Sequence, residues 1–149
     1  MTAMLLILMI GQITGRVVDV YDGDSITIRT ADDTVKIRLL HIDAPERGQA
    51  YGTRAKQALS EAVFGKTVTV HGTKKDRYKR LLGDVWIDGR SVNLEMVKGG
   101  LAWAYLEFKP PQEYIQAESI ASGKRAGLWV DRQAVAPWEY RKSRRKKAA

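Results

Sequence analysis

Three short segments of this chain hold the residues best suited to chemistry. Asp22-Gly23-Asp24 sets two carboxylates around one glycine, Asp43 and Glu46 bracket Pro45 with Arg38 just upstream, and Asp76, Arg77 and Arg80 share a third segment. Two carboxylates brought together repel unless positive charge lies between them. With no cysteine and only His41 and His71 as imidazoles, any metal has to be held by oxygen, which points to Ca²⁺ or Mg²⁺. For a pair of aspartates Ca²⁺ is the natural candidate. Hydrolysis of a phosphodiester asks for two further parts: a cationic clamp on the phosphate and a group that orients or deprotonates water. The planar fork of arginine suits the clamp, and Glu46 is the obvious carboxylate for the water. The first two segments also have a plainer reading. Asp22-Gly23-Asp24 is ordinary hairpin chemistry, and Asp43-Ala44-Pro45-Glu46 can be a simple turn.

The elements around these segments decide whether they meet. Residues 13–21 are rich in β-branched side chains, Ser25 to Arg29 alternates cleanly, and Val35 to Leu40 follows a second turn, so the first forty residues predict a three-stranded antiparallel meander. In a meander the first turn and the far end of the third strand lie at the same end, which lets Asp24 approach Asp43. From about Tyr51 to Phe64 the set Ala55, Ala58, Leu59, Ala62 and Val63 has helical spacing, with Gly65 at the C-cap position. Strand character returns at Thr67 to Val70 and at Leu81 to Ile87, the latter ending in the hairpin dipeptide Asp88-Gly89. Asn93 to Lys98 and residues 112–124 predict two further helices, the second entered through Pro110 and Pro111. Five strands and about three helices in this order predict a β-rich fold with helices, a closed five-stranded barrel of the oligonucleotide/oligosaccharide-binding (OB) type.

Charge is unevenly spread. The 149 residues carry 25 Lys plus Arg against 17 Asp plus Glu, a net charge of +8, yet six of the basic groups fall within residues 141–147. The rest of the chain is left with 19 against 17, nearly neutral. Length and pattern give one domain over residues 13–138, an apolar lead over 1–12 and a basic, disordered tail over 139–149, expected as a monomer. Such a tail reads either as a solvated end or as a nonspecific phosphate-binding arm. Met4 to Ile10 is apolar but far short of the roughly 20 residues that cross a bilayer, so no stable membrane insertion is expected. It resembles the apolar region of an export signal, without a preceding Lys or Arg and without a clear cleavage site.

Asp22-Gly23-Asp24-Ser25, the run Arg38 to Glu46, and Asp76-Arg77-Tyr78-Lys79-Arg80 resemble, in order and at comparable spacing, the three signature segments of the staphylococcal nuclease-like (thermonuclease) family. The likeness continues through Asp88-Gly89, Val92-Asn93 and Gly100-Leu101-Ala102 to Gly127-Leu128-Trp129. It implies the OB barrel and a Ca²⁺-dependent phosphodiesterase that cuts DNA and RNA to 5′-hydroxyl and 3′-phosphate ends. Position by position, it implies Asp24, Asp43 and the backbone carbonyl of Ala44 as ligands of Ca²⁺, Glu46 as the residue acting on water, and Arg38 and Arg80 on the phosphate. Tyr78, Lys79, Tyr105 and Phe108 fall where substrate contacts would lie. Lys79 stands where this loop often carries glycine, and Leu106 and Phe108 align with two tyrosines of the family if no gap is allowed. A nuclease free in the cytoplasm would endanger its host, which favours export over a cytoplasmic location.

Two other classes compete. An OB barrel that binds nucleic acid without cutting it is one, although binding alone would not require Asp24, Asp43 and Glu46 together. A protein that docks on membrane surfaces or partners through the basic tail is the other, and it rests only on residues 141–147.

Overall fold

The computed structural model describes residues 11–148. Of the apolar lead, Met4 to Ile10 lies outside the described residues, while Gln12 already belongs to the first strand. Strand β1 (Gln12–Asp22), β2 (Ser25–Arg29) and β3 (Thr34–Leu39) form the antiparallel meander that alternation predicts. Strands β4 (Ile42–Asp43), β5 (Thr67–His71), β6 (Leu81–Ile87), β7 (Arg90–Ser91) and β8 (Trp103–Ala104) follow. β1 pairs with β5, β5 with β6, and β6 runs parallel to β3, so the five long strands close into a barrel. This is the predicted OB-type barrel.

The apolar partners of each strand point inward. Val17, Ile28, Ile37, Leu39, Val70, Leu81 and Val85 are essentially without solvent exposure, which is the period-2 pattern of a sheet folded on its own core. The closing seam between β3 and β6 is pinned by a fully buried amide. Asn93 accepts a hydrogen bond from the Val85 amide and donates to the carbonyls of Leu40 and Gly83.

Helices α1 (Gly52–Val63), α2 (Val92–Lys98) and α3 (Gln112–Gly123) match the predicted three within a residue or two. α1 buries Ala55, Leu59 and Val63 against the barrel, and Gly65 takes the left-handed φ of 75° expected beyond its end.

The tail corrects the expectation. Instead of disorder from residue 139, Pro137–Ala148 is a fourth helix, α4. Proline at its start and Glu139 in its first turn suit a helix N-terminus, and Arg145, Lys146 and Lys147 suit the negative end of the dipole. Tertiary contacts add the rest. Trp138 stacks on Tyr105 at 5.5 Å and meets the edge of Trp103, itself 4.4 Å from Trp129. Among the described residues, no helix is long and apolar enough to cross a membrane.

Candidate active site

The β1–β2 turn and the end of β3 do lie together. Ser25 is paired with Arg38 across the β2–β3 ladder, and the Leu39 amide donates to the Asp24 carbonyl. Gly23 allows the closeness, because a Cβ there would stand 2.8 Å from that of Ala44 and 2.7 Å from that of Ala55. Asp24 Oδ2 then accepts the Ala44 amide at 2.7 Å, tying the first segment to the second. Asp43 is fixed from the other side by the short β4–β8 pairing opposite Trp103.

Arg38 lies between the two aspartates, and its Nη2 is 3.4 Å from Asp24 Oδ2 and 3.4 Å from Asp43 Oδ1. Its Nη1 donates to the carbonyls of Leu39 and Ile42, and the guanidinium faces the Phe108 ring. Arg38 is thus a buried inner cation, not an exposed one. The carboxylates around it are crowded and dry. Burial, aided by the charge of Asp24, pushes Asp22 up to about 8. Burial likewise pushes Asp43 up to about 6 against the opposing hydrogen bond from Arg141. Crowded, buried carboxyls of this kind mark a candidate functional site.

Arg80 is the outer arginine. Asp76 holds it twice, accepting from its backbone amide and, at 2.8 Å, from its Nε, and also accepts the Tyr78 amide. Arg80 Nη1 donates to Ser25 Oγ at 3.3 Å, and that hydroxyl donates to Asp24 Oδ1, so the third segment is linked to the first. Lys79 adopts the left-handed φ of 64° that glycine would take without strain, yet Arg80 is seated all the same. Asp76 is the residue that orients Arg80. An Asp accepting the backbone amides two and four residues on is the signal that marks it.

Glu46 sits on a loop closed by Gln49. Glu46 N donates to Gln49 Oε1, Gln49 N donates back to the Glu46 carbonyl, and Gln49 Nε2 reaches the Val135 carbonyl at 2.7 Å. The Glu46 carboxylate meets Arg141 of α4, whose Nη1 is 2.5 Å from Oε1. The same guanidinium forks onto Asp43, with Nη2 at 2.8 Å from Oδ2 and Nη1 at 3.1 Å from Oδ1. Sequence reasoning missed Arg141, because one cation in a run of six carries no mark of its own.

The aromatic candidates divide. Tyr78 is exposed, with the guanidiniums of Arg77 and Arg80 near its ring at 4.9 and 5.4 Å from the centroid. Phe108 covers Arg38, while Tyr105 is committed to Trp138, Phe108 and a short hydrogen bond to Glu107. Burial and that bond raise the Tyr105 phenol to about 12. His41 Nδ1 donates to the Phe108 carbonyl at 3.2 Å and the ring edges onto Tyr114, a structural position.

The oxygen donors fit a hard dication in kind, since Asp24, Asp43 and the Ala44 carbonyl are all hard ligands and two buried carboxylates already converge on one cation. As the side chains stand, no three carboxylate or imidazole groups among the described residues converge closely enough to hold a metal ion. The guanidiniums of Arg38 and Arg141 take up the intervening space. Cavities of about 310 and 240 Å³ elsewhere include none of Asp24, Arg38, Asp43, Glu46 or Arg80 in their walls.

Such a barrel, with paired carboxylates and two arginines gathered at one end, defines a class of phosphate-directed OB folds. Comparison with known proteins names it: residues 36–131 match the family described as staphylococcal nuclease homologue, and the chain belongs to that family. It is 42 % identical over 130 residues to an uncharacterized endonuclease of Haemophilus influenzae, spanning 87 % of this chain and 73 % of that one. It is 38 % identical over 140 residues to a micrococcal nuclease of Shigella flexneri, spanning 87 % and 80 %. A protein of Escherichia coli named ParB is 42 % identical over 142 residues, spanning 88 % and 80 %.

Proposed function

We propose that this protein is a Ca²⁺-dependent nuclease that hydrolyses the phosphodiester bonds of both DNA and RNA, leaving 5′-hydroxyl and 3′-phosphate ends. The observation that carries the reading is the gathering of all three signature segments at one end of the barrel, through Asp24, Arg38 and Asp43 on one side and the Asp24–Ser25–Arg80 chain on the other. Family membership and relatives named as nucleases support it.

Asp24, Asp43 and the Ala44 carbonyl would hold Ca²⁺, which supplies positive charge to the scissile phosphate and to the carboxylates that surround it. Glu46 orients a water molecule towards phosphorus and takes its proton as the new P–O bond forms. Arg80, pre-aimed by Asp76, binds the phosphate oxygens and stabilises the charge that gathers on them, with Arg38 behind the two aspartates. The bond to the 5′ oxygen breaks, that oxygen takes a proton from solvent and departs as the 5′-hydroxyl, and the phosphate stays on the 3′ side. Tyr78 and Lys79 sit beside Arg80, where a base face and a neighbouring phosphate can be met, while Phe108 backs Arg38 and Tyr105 packs on Phe108. Neither ribose nor deoxyribose is singled out by these groups, which act on phosphate.

Arg80→Ala is expected to lower turnover on both DNA and RNA by roughly a hundredfold or more, as loss of a transition-state charge partner does, with the unfolding midpoint little changed. Cleavage of labelled oligonucleotides, followed with Ca²⁺, with Mg²⁺ and with chelator, checks this. Undiminished cleavage by Arg80→Ala, or cleavage that survives chelation, contradicts it.

A further inference from the structure

The carboxylates proposed to serve hydrolysis already have a cation, and it comes from the chain itself. Arg141 approaches from α4 and forks onto Asp43, using both carboxylate oxygens, while its Nη1 also reaches Glu46 Oε1. Asp43 is almost wholly inaccessible, and Arg141 is about two-thirds covered, so this is a partly desolvated, two-pronged ion pair and not a loose surface contact. Its neighbours on α4 behave differently. Lys142, Arg144, Arg145, Lys146 and Lys147 are all exposed, and among the described residues none of them pairs with a carboxylate.

The helix that delivers Arg141 is docked, not adrift. Trp138, one turn earlier, stacks on Tyr105, and Gln49 of the Glu46 loop holds the Val135 carbonyl just before α4 begins. Asp43 lies one residue from Ala44 and Glu46 two beyond that, so the guanidinium bridges the residue proposed to hold the cation and the residue proposed to handle water. With both Asp43 oxygens accepting from the Arg141 fork, the lone pairs on that side are taken, and a dication brought close would be repelled by the guanidinium.

We infer that Arg141 is a built-in competitor for the divalent cation: it seals Asp43 and Glu46 with its own charge, and a cation gains the site only by displacing the guanidinium. This rests on the proposed metal role of Asp43. It makes α4 a self-blocking arm, and it sets the cation affinity of the whole chain below that of its carboxylates alone.

The test is Ca²⁺ binding by equilibrium dialysis without nucleic acid, on the full chain and on Arg141→Gln, Arg141→Lys and Lys142→Gln, each checked for folding by its urea midpoint. Lys142→Gln removes the same charge one residue away and controls for the general field of the helix. Arg141→Gln is expected to bind Ca²⁺ roughly tenfold more tightly or better, the scale of a lost charge-assisted pair. Arg141→Lys, which keeps the charge but not the fork, should fall between, and Lys142→Gln should stay within about twofold of the parent. Equal affinity in Arg141→Gln and the parent, or weaker binding in the variant, overturns the competition while leaving the metal site standing. Absence of saturable Ca²⁺ binding in every protein overturns the metal assignment itself, and the competition with it.

Discussion

At the scale of single residues, the site is a set of charges whose partners can be named. Asp76 shows how one such partner acts through another. Burial tends to raise its carboxyl, but the amide and guanidinium of Arg80 and the amide of Tyr78 outweigh that and hold it below the usual range. The unfolded chain therefore binds the proton more readily, at about the ordinary aspartate value of 3.9. The contribution of Asp76 to stability is complete above that value and is lost as pH falls through the lower folded one. Asp76→Asn is expected to flatten the acid limb of a urea-midpoint profile taken from about pH 5 down to pH 3. It should also lower kcat roughly tenfold at neutral pH by loosening Arg80, since small misplacements of a catalytic group are costly. An unchanged acid limb would mean that the carboxylate's bonds to Arg80 and Tyr78 contribute nothing. Much of this was legible beforehand: the pairs Asp24 with Asp43 and Glu46 with Arg80 stand out by type and spacing. Arg141 was not, because its role depends on where a helix lands.

At the scale of elements, the barrel strands announce themselves by alternation, and α1 by its apolar stripe. α4 does not, since its side chains have no apolar periodicity and it is held by one tryptophan and one ion-pair fork. A run of cations with no core face reads as disorder until the acidic surface awaiting it is known. Two small features show how elements fix the site. Gly52 opens α1 directly beneath the Glu46 loop, and a Cβ at that position would lie 2.1 Å from the Glu46 carbonyl oxygen. Gly52→Ala is expected to cost about 1–3 kcal/mol of stability by forcing backbone apart, and to lower turnover by shifting Glu46. Urea unfolding and a cleavage assay on the same preparation check both parts. Asn93→Ala removes three hydrogen bonds, two of them fully buried, from the β3–β6 seam, and leaves the Val85 amide and the Leu40 carbonyl without their side-chain partner, while the Gly83 carbonyl keeps the Leu40 amide. It should cost roughly 3 kcal/mol, read from the shift in urea midpoint.

For the whole molecule, the +8 charge divides into a nearly neutral barrel and a basic helix. The barrel end depends on local placement of charge, and α4 carries the excess positive charge that a polyanion would meet. Neutralising Lys142, Arg144, Arg145, Lys146 and Lys147 together is expected to weaken DNA binding at low salt and to flatten its dependence on salt concentration, because fewer counterions are released. Fluorescence anisotropy of a labelled duplex across a salt series, in chelator, reads this directly, and an unchanged slope would remove α4 from the binding surface.

The central claim is that Glu46 and a divalent cation carry out phosphodiester hydrolysis at this end of the barrel. It is tested most directly by single-turnover cleavage of a labelled oligonucleotide with Ca²⁺, comparing the parent with Glu46→Gln after both are shown to unfold at the same urea concentration. The account expects turnover in the variant to fall by at least about a hundredfold, the range for loss of a positioned base, and chelator to abolish cleavage by the parent. Cleavage by Glu46→Gln at the parental rate would contradict it.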